Sequence, residues 1–177
     1  NGDEALVQLN PMTGFPTSAF TVSTWVRLGP TTENQHWFSY ATSTDSNALL
    51  FRHFQNFGVG ILIMGATLNT DVRIDDDRWH HVAVTRDAVN TLTVYIDGLA
   101  VIETDNSTVL SSDGALILGQ DQDSLGGGFD AVQDLEGSLA EVAVYSESLS
   151  SVDIGRLYES GRCAEASCAA TKTVYST

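Results

Sequence analysis

Four aspartates lie close together around three consecutive glycines in GQDQDSLGGGFDAVQDLEG, residues 119–137. Crowded carboxylates repel one another unless a proton, salt or a metal ion lies between them. Asp121 and Asp123 are two positions apart, so in an extended segment their side chains point the same way. The glycines permit a tight reversal at positive φ, which brings Asp130 and Gln133 back towards the first pair.

The side chains of this stretch have the chemistry of a site for a hard cation. Its carboxylates, a carboxamide and main-chain carbonyls offer only oxygen, the ligand atom that calcium prefers in an irregular loop. No Cys or His joins them, which argues against zinc. An EF-hand is excluded because Leu125 and Val132 occupy positions where that loop needs ligands. A solvated acidic turn is the alternative that the residues alone leave open.

The composition of the whole chain limits the classes of function. Its 177 residues include 23 acidic and eight basic side chains, which give a formal net charge of −15. Such a charge argues against nucleic acid and anionic membrane as direct partners. A content of 42% hydrophobic residues predicts one globular domain. No apolar run approaches the roughly 20 residues that span a bilayer, so no transmembrane segment is expected.

The cysteines and one short triplet favour an extracellular setting, either secreted or on a surface protein. Cys163 and Cys168 predict a local disulfide or pairing with sequence beyond this chain, because C-x4-C lacks a second metal-binding pair. The triplet NST at 106–108 is an acceptor sequence for N-glycosylation. The first residue is not Met, so the chain is expected to be a processed or excised piece.

Short apolar or alternating runs separated by turn residues predict an all-β sandwich. In TLTVYID, Leu92, Val94 and Ile96 alternate with residues of the other face, which is typical of a half-buried strand. AVN at 88–90 predicts a hairpin turn. The predicted strands are residues 20–28, 36–41, 48–54, 59–65, 79–87, 91–98, 115–120 and 137–146.

One segment, SSVDIGRLYESG at residues 150–161, predicts a helix. A serine at its start can cap it, apolar side chains at i, i+3 and i+4 give it a buried face, and Gly161 can end it. The small and polar residues beyond it predict a tail or linker. The predicted domain therefore covers residues 1–161, and the tail covers residues 162–177.

The stretch LGQDQDSLGGGFDAVQDLEGSLAEVAVY resembles the calcium-binding segment of pentraxins, which carry an acid-Gln-Asp-Ser-x-Gly-Gly-x-Phe-acid-x-x-Gln pattern. The resemblance extends back through AFTVSTWVR, FSYAT, ALLF, RWHHVAVT and VYIDG, and covers roughly residues 5–160. Pentraxins and the related laminin-G-like modules are concanavalin A-like sandwiches. The resemblance therefore implies a two-sheet antiparallel jelly roll with one short C-terminal helix.

The resemblance also implies two adjacent calcium ions and a set of ligands for them. Asp121 and Asp123 match carboxylates that contact both ions, and Gln122 matches a residue that offers its main-chain oxygen. Asp130 and Gln133 match ligands of the second ion. Aspartate replaces the more usual glutamate at two of these positions, so we expect weaker binding at the second site.

An earlier segment, SYATSTDSNALLF, supplies the remaining expected ligands by the same resemblance. Asp45 matches an acidic ligand. The next ligand of the family is typically Asn, but Ser46 occupies that position, so Asn47 is the expected substitute. Phe51 aligns with an apolar residue beside the calcium site, and it is expected either to contact a ligand or to fill the core.

The resemblance implies recognition of carbohydrate or of a phosphorylated or other anionic ligand through bound calcium, in a domain that can form oligomers. The alternative is a calcium-stabilised structural or protein-binding module of a larger adhesin or receptor. Catalysis is not expected, because a retaining glycosidase needs two carboxylates about 5.5 Å apart. The candidates Glu136, Glu141 and Glu147 are too widely spaced along the sequence for the close run of acids that usually supplies this pair. His80 and His81 lack a nucleophile pattern and are expected to be structural.

Overall fold

The computed structural model describes residues 6–30 and 33–167, with side chains as far as residue 162. Strands and one C-terminal helix make up the regular structure of this part. The strands are β1 (Val7–Met12), β2 (Phe20–Leu28), β3 (Gln35–Thr42), β4 (Leu49–Phe54), β5 (Gly58–Ile63), β6 (Ala66–Asn69), β7 (Trp79–Arg86), β8 (Thr91–Ile96), β9 (Leu99–Asp105), β10 (Gly114–Leu118) and β11 (Gly137–Tyr145). The helix α1 covers Ser151–Ser167, and a 3₁₀ turn covers Ala131–Gln133.

The strands form two antiparallel sheets that pack face to face. The first sheet has the order β1-β10-β3-β4-β5-β6, and the second has the order β11-β2-β7-β8-β9. This arrangement confirms the predicted all-β jelly-roll sandwich with a C-terminal helix. No helix in the described part of the chain is long and apolar enough to cross a membrane.

Each predicted strand is present, but β1, β6 and β9 were not predicted. All three lie at sheet edges. Edge strands bury little apolar surface, and β9 leaves most of its residues exposed, Leu99 and Val101 among them. β6 has only four residues and β1 contains a proline, so neither gives the uninterrupted run by which the interior strands can be recognised.

The core lies between the inner faces of the two sheets. Phe51 on β4 belongs to it, with no exposed surface and with its ring 5.2 Å from the Phe38 ring. The Trp37 ring meets Phe51 edge to face at 6.2 Å. The expectation that Phe51 contacts a ligand is therefore wrong, and its other expected role, filling the core, is the one that the structure shows.

The second sheet is covered on its outer face by α1. On β8, Leu92, Val94 and Ile96 face the core as predicted. The opposite face was expected to be exposed, yet Tyr95 is only 6% exposed and packs with Ala83 of β7 and Ile154 of α1. The strand is buried on both faces because the helix covers the side that the alternation assigned to solvent.

The helix begins as predicted but ends later. The Ser150 hydroxyl accepts a hydrogen bond from the Asp153 amide at 3.2 Å, which caps the first turn. The prediction that Gly161 ends the helix is wrong, because α1 continues to Ser167. Gly161 instead allows close packing, since a Cβ there would lie 2.2 Å from Nε1 of Trp25. The predicted disulfide and most of the predicted tail fall outside the described side chains.

Both histidines of the WHHV segment make hydrogen bonds within the second sheet or to the loops beside it. His81 is fully buried, with Nε2 at 2.8 Å from the Ser23 hydroxyl, and burial lowers its pKa to about 4. His80 donates to Asp97 at 2.8 Å and to Asp76 at 3.0 Å. These hydrogen bonds raise the pKa of His80, and the bond to Asp97 has the larger effect. These contacts fit the structural role that was expected.

The acidic loop after β10 folds back over the outer face of the first sheet. One buried side chain, Gln122, fixes it there. Its Nε2 donates to the carbonyl of Ser39 at 2.8 Å and to that of Ala115 at 3.0 Å. Its Oε1 accepts from the amide of Gly126 at 2.8 Å. One carboxamide thus joins β3, β10 and the glycine turn.

We expect Gly161→Ala to lower the free energy of unfolding by about 1–2 kcal/mol, because overpacking against Trp25 outweighs the gain in helix propensity. Urea unfolding followed by circular dichroism measures the change. Gly155→Ala is the matched control, since an added Cβ there meets nothing within 4 Å, and it should stabilise the helix. Equal effects of the two substitutions would contradict the close contact.

We expect Gln122→Ala to lower the free energy of unfolding by about 2–4 kcal/mol, because three buried main-chain groups lose their partner. Urea unfolding in excess EDTA measures this change in the free energy of unfolding without any contribution from bound metal. Gln8→Ala removes an exposed hydrogen bond of 3.2 Å to the carbonyl of Gly126, and it should change stability by less than about 0.5 kcal/mol. A Gln122 variant as stable as this control would show that the loop is held elsewhere.

Candidate functional site

The candidate site lies on the outer face of the first sheet, under and within the acidic loop. Ser39 of β3 pairs with Ile117 of β10 on one side and with Leu50 of β4 on the other. All three residues are buried, although they lie outside the main core cluster. The returning loop therefore covers an apolar sheet face, and this burial gives the loop a fixed base.

Asp121 is the acid that the fold buries most deeply. Its side chain is 4% exposed, and its Oδ1 accepts from the Ser39 hydroxyl at 3.2 Å and from the Gln122 amide at 2.7 Å. Burial raises the pKa of Asp121, and the positive charge of Arg52 opposes that rise. A carboxylate removed from water needs a compensating cation to remain ionised.

Arg52 of β4 faces this acid from the sheet. Its guanidinium lies 4.1 Å from the centre of the Phe54 ring, and its buried Nε has no hydrogen-bond partner. Burial lowers the pKa of Arg52 to about 10, and Asp121 opposes that change. At neutral pH the site therefore contains a half-buried cation with unused hydrogen-bonding capacity.

His36, near the start of β3, connects the second half of the loop to the sheet. Its Nδ1 donates to the carbonyl of Gln133 at 3.2 Å. Burial lowers the pKa of His36 to about 4, while the nearby charge of Asp123 opposes the shift. The imidazole is therefore neutral at physiological pH, with its proton on Nδ1.

The second half of the loop forms the short 3₁₀ turn. The Asp130 carboxylate caps that turn by accepting from the Val132 amide at 3.1 Å. The side chain of Gln120 donates to the Asp130 carbonyl at 3.1 Å and also contacts Asp134. The Gln133 side chain differs from these groups, because its Oε1 is buried and has no hydrogen-bond partner.

The hairpin between β3 and β4 holds the other expected ligands. The Asp45 carboxylate accepts from the Asn47 amide at 2.8 Å, which forms an Asx turn. The Asp45 carbonyl accepts from the Thr42 amide, also at 2.8 Å. Asn47 Oδ1, like Gln133 Oε1, is a buried oxygen without a hydrogen-bond partner.

The structure brings only some of the expected ligands together. Asp121 and Gln133 make hydrogen bonds to Ser39 and His36 of the sheet, and Asp123 is exposed beside them, near enough for its charge to act on His36. The hydrogen bonds described for Asp45 and Asn47 stay within their own hairpin. In residues 6–30 and 33–167, no three His, Cys, Asp or Glu side chains are grouped as a metal site. The two orphaned carboxamide oxygens are the observation that fits a hard cation, because a buried oxygen needs a donor or a metal ion.

The sequence reasoning did not assign Arg52, His36 or Ser39 to the site. Strand alternation carries a signal for Arg52, because a core-facing Phe51 requires its neighbour to face outwards. Ser39 is a polar residue inside an otherwise apolar strand, which is a second signal. His36 could not be placed by alternation, since a register shift separates His36 from Phe38.

Pentraxins are among the known proteins that this chain resembles in sequence and in structure. Human neuronal pentraxin-1 is 34% identical over 151 residues, which are 82% of this chain and 34% of that protein. C-reactive protein 1.1 of Limulus polyphemus is 32% identical over 157 residues, which are 83% of this chain and 63% of that protein. The chain thus spans about a third of the length of the neuronal pentraxins that it matches.

A solved structure, the native heptameric SAP-like pentraxin from Limulus polyphemus, superposes with a TM-score of 0.74 at 21% identity. The match covers 86% of this chain and 75% of that chain, and it shows the shared fold. The sequence model of the concanavalin A-like lectin/glucanase superfamily, Laminin_G_3, matches residues 1–155. The chain therefore belongs to this superfamily, among its pentraxin and laminin-G-like domains.

Proposed function

We propose that this chain is a calcium-dependent recognition domain, in which the acidic loop and the β3–β4 hairpin hold two ions. The expected ligands are Asp45, Asn47, Asp121, Asp123, Asp130 and Gln133 through their side chains and Gln122 through its main-chain oxygen. The pair of buried, unpartnered oxygens of Asn47 and Gln133 is the observation that carries the proposal. These oxygens belong to two segments far apart in sequence, and both segments were expected to supply ligands.

The electrostatics of the site support the same proposal. Asp121 is buried, and the loop around it adds further carboxylates to a chain that already carries a net charge of −15. A divalent cation lowers this repulsion and supplies the charge that a buried carboxylate requires. Gln122 anchors the loop through its side chain, which leaves its main-chain oxygen for the expected role as a ligand.

Recognition of a ligand would use the coordination positions that the protein leaves open. Calcium accepts up to eight oxygen atoms, so phosphate, carboxylate or sugar hydroxyl oxygens can complete its shell. Arg52 adds a positive charge beside Asp121, and its guanidinium can form a charge-assisted hydrogen bond to such an oxygen. We therefore infer that the site prefers an anionic ligand, with a phosphoryl group as the first choice, over a neutral one.

We also infer an extracellular setting, since shallow calcium modules of this kind work at the ion concentrations found outside cells. The predicted glycosylation of Asn106 receives no support, because this residue is 8% exposed and its Oδ1 accepts from the Thr108 amide at 3.2 Å. Assembly into oligomers and a place within a longer protein remain parts of the proposal, since the chain spans only part of its relatives.

We expect 2 mM Ca²⁺ to raise the thermal midpoint by about 5–10 °C over excess EDTA. One ion whose free concentration is 100 times its Kd adds about 2.7 kcal/mol to the free energy of unfolding. Each kcal/mol moves the midpoint of a domain this size by about 2–4 °C. Differential scanning calorimetry measures the shift. Asp123→Asn should abolish most of it, while Asp105→Asn, an exposed acid outside the loop, should retain it. Identical midpoints with and without calcium would leave the loop as a solvated acidic turn.

We expect Arg52→Gln to weaken calcium-dependent binding of glycerol 2-phosphate about tenfold while the calcium-induced midpoint shift persists, because a charge-assisted hydrogen bond is lost. Isothermal titration calorimetry in saturating calcium measures the affinity. Arg78→Gln is the matched control, because Arg78 is highly exposed and lies just before β7 of the other sheet. Phosphate binding that persists in EDTA would contradict the proposed site. Calcium binding with no affinity for phosphate, carboxylate or sugar would favour the structural or protein-binding module instead.

A further inference from the structure

A second concave site lies on the other sheet, away from the acidic loop. On the outer face of the second sheet, the register pairs Trp25 with His81 and Arg27 with Trp79. The helix covers the first of these pairs, and Tyr158 stacks on Trp25 at 5.7 Å. The second pair lies beyond this contact, and a cavity of about 380 Å³ opens there between sheet and helix.

Three aromatic side chains line this cavity. Trp25 is only 4% exposed and stacks on Tyr158 with the planes 15° apart, and Arg162 lies 5.4 Å from the centre of the Tyr158 ring. Trp79, from the neighbouring strand, is partly exposed and offers the aromatic surface that a ligand can reach. A sugar ring can lay its C–H face against such a surface, because aromatic side chains bury apolar area at low entropic cost.

The charged groups around the rings are already paired with one another. Arg27 contacts Asp77 at 2.9 Å, and His80 lies between Asp97 and Asp76. On the helix, Arg162 contacts Glu159 at 3.4 Å. An ionic ligand would have to break one of these pairs, whereas hydroxyl groups can use the remaining donors and acceptors without separating charges.

We propose that the cavity lined by Trp79, Trp25, Tyr158 and Arg27 binds a neutral saccharide of one or two rings without calcium. The volume falls within the range of small-molecule sites, and mixed aromatic and polar walls are typical of them. The site lies on the second sheet and uses none of the expected calcium ligands. It therefore does not rest on the function proposed above, and the two can fail independently.

The test is a titration in excess EDTA with a panel of neutral saccharides: maltose, cellobiose, mannobiose and N,N′-diacetylchitobiose. Isothermal titration calorimetry and intrinsic tryptophan fluorescence are the measurements. We expect saturable binding of at least one sugar, with a change in the emission of the partly exposed tryptophan. Trp79→Ala should weaken it about tenfold or more, because the stacking surface is lost.

Arg27→Met is a second variant that removes hydrogen-bond donors but keeps the aliphatic stem, so it tests the polar wall without opening a hole. Arg156→Met, an exposed arginine of α1 outside the cavity, is its matched control and should bind normally. Asp123→Asn should also bind normally. The proposal is overturned if no neutral sugar binds at millimolar concentration, if binding survives in both Trp79→Ala and Arg27→Met, or if EDTA abolishes it.

Discussion

The buried carboxamide of Gln122 is the interaction on which the candidate calcium site depends. It is the side chain that joins the loop to both β3 and β10, whereas the hydrogen bonds of Ser39 with Asp121 and of His36 with Gln133 reach β3 alone. A carboxamide suits this position because it offers donors and an acceptor at once, and all of its partners are main-chain groups. Main-chain partners stay in place when side chains around them change, so the loop has a base that is independent of its acids.

The loop and the helix divide the two outer faces of the sandwich between them. The loop covers the first sheet where Ser39, Leu50 and Ile117 lie, and α1 covers the second sheet where Ala83 and Tyr95 lie. The loop and the helix each leave part of their sheet accessible, and charged or aromatic side chains lie next to that part. On one face these are acids and an arginine, and on the other they are aromatic rings and paired charges.

Sequence reasoning located the interior strands well because period-two alternation and turn residues determine them locally. The bounds of β2 agree with the prediction at both ends. It missed three of the four edge strands, β1, β6 and β9, and found only β11 among them. It also gave Phe51 a possible ligand contact, since which face of β4 meets the core depends on pairing with distant strands. Gly161 was assigned as a helix end, because a close contact with Trp25 leaves no local signal.

The candidate site was predictable to the extent that its chemistry is local. The run of acids, glycines and carboxamides indicates an oxygen site without any knowledge of the fold. Alternation predicts that Arg52 and Phe51 face opposite sides of β4, but which side meets the loop depends on pairing with distant strands. The position of His36 depends on a register shift and on the returning loop, and neighbouring residues indicate neither. The orphaned oxygens of Asn47 and Gln133 likewise depend on burial, which only the folded chain defines.

The first strand has a consequence for where this domain begins. β1 pairs with β10 immediately before the acidic loop, and its Gln8 and Asn10 lie against the turn at Gly126, where an added Cβ would lie 2.1 Å from Asn10 Nδ2. The strand is mostly exposed and contributes little to the core, so it looks dispensable by hydrophobicity alone. It nevertheless supports the acidic loop, because its side chains contact the glycine turn. Any excision of the domain from a longer chain must keep Val7–Met12, or it removes the support of the glycine turn while leaving the core intact.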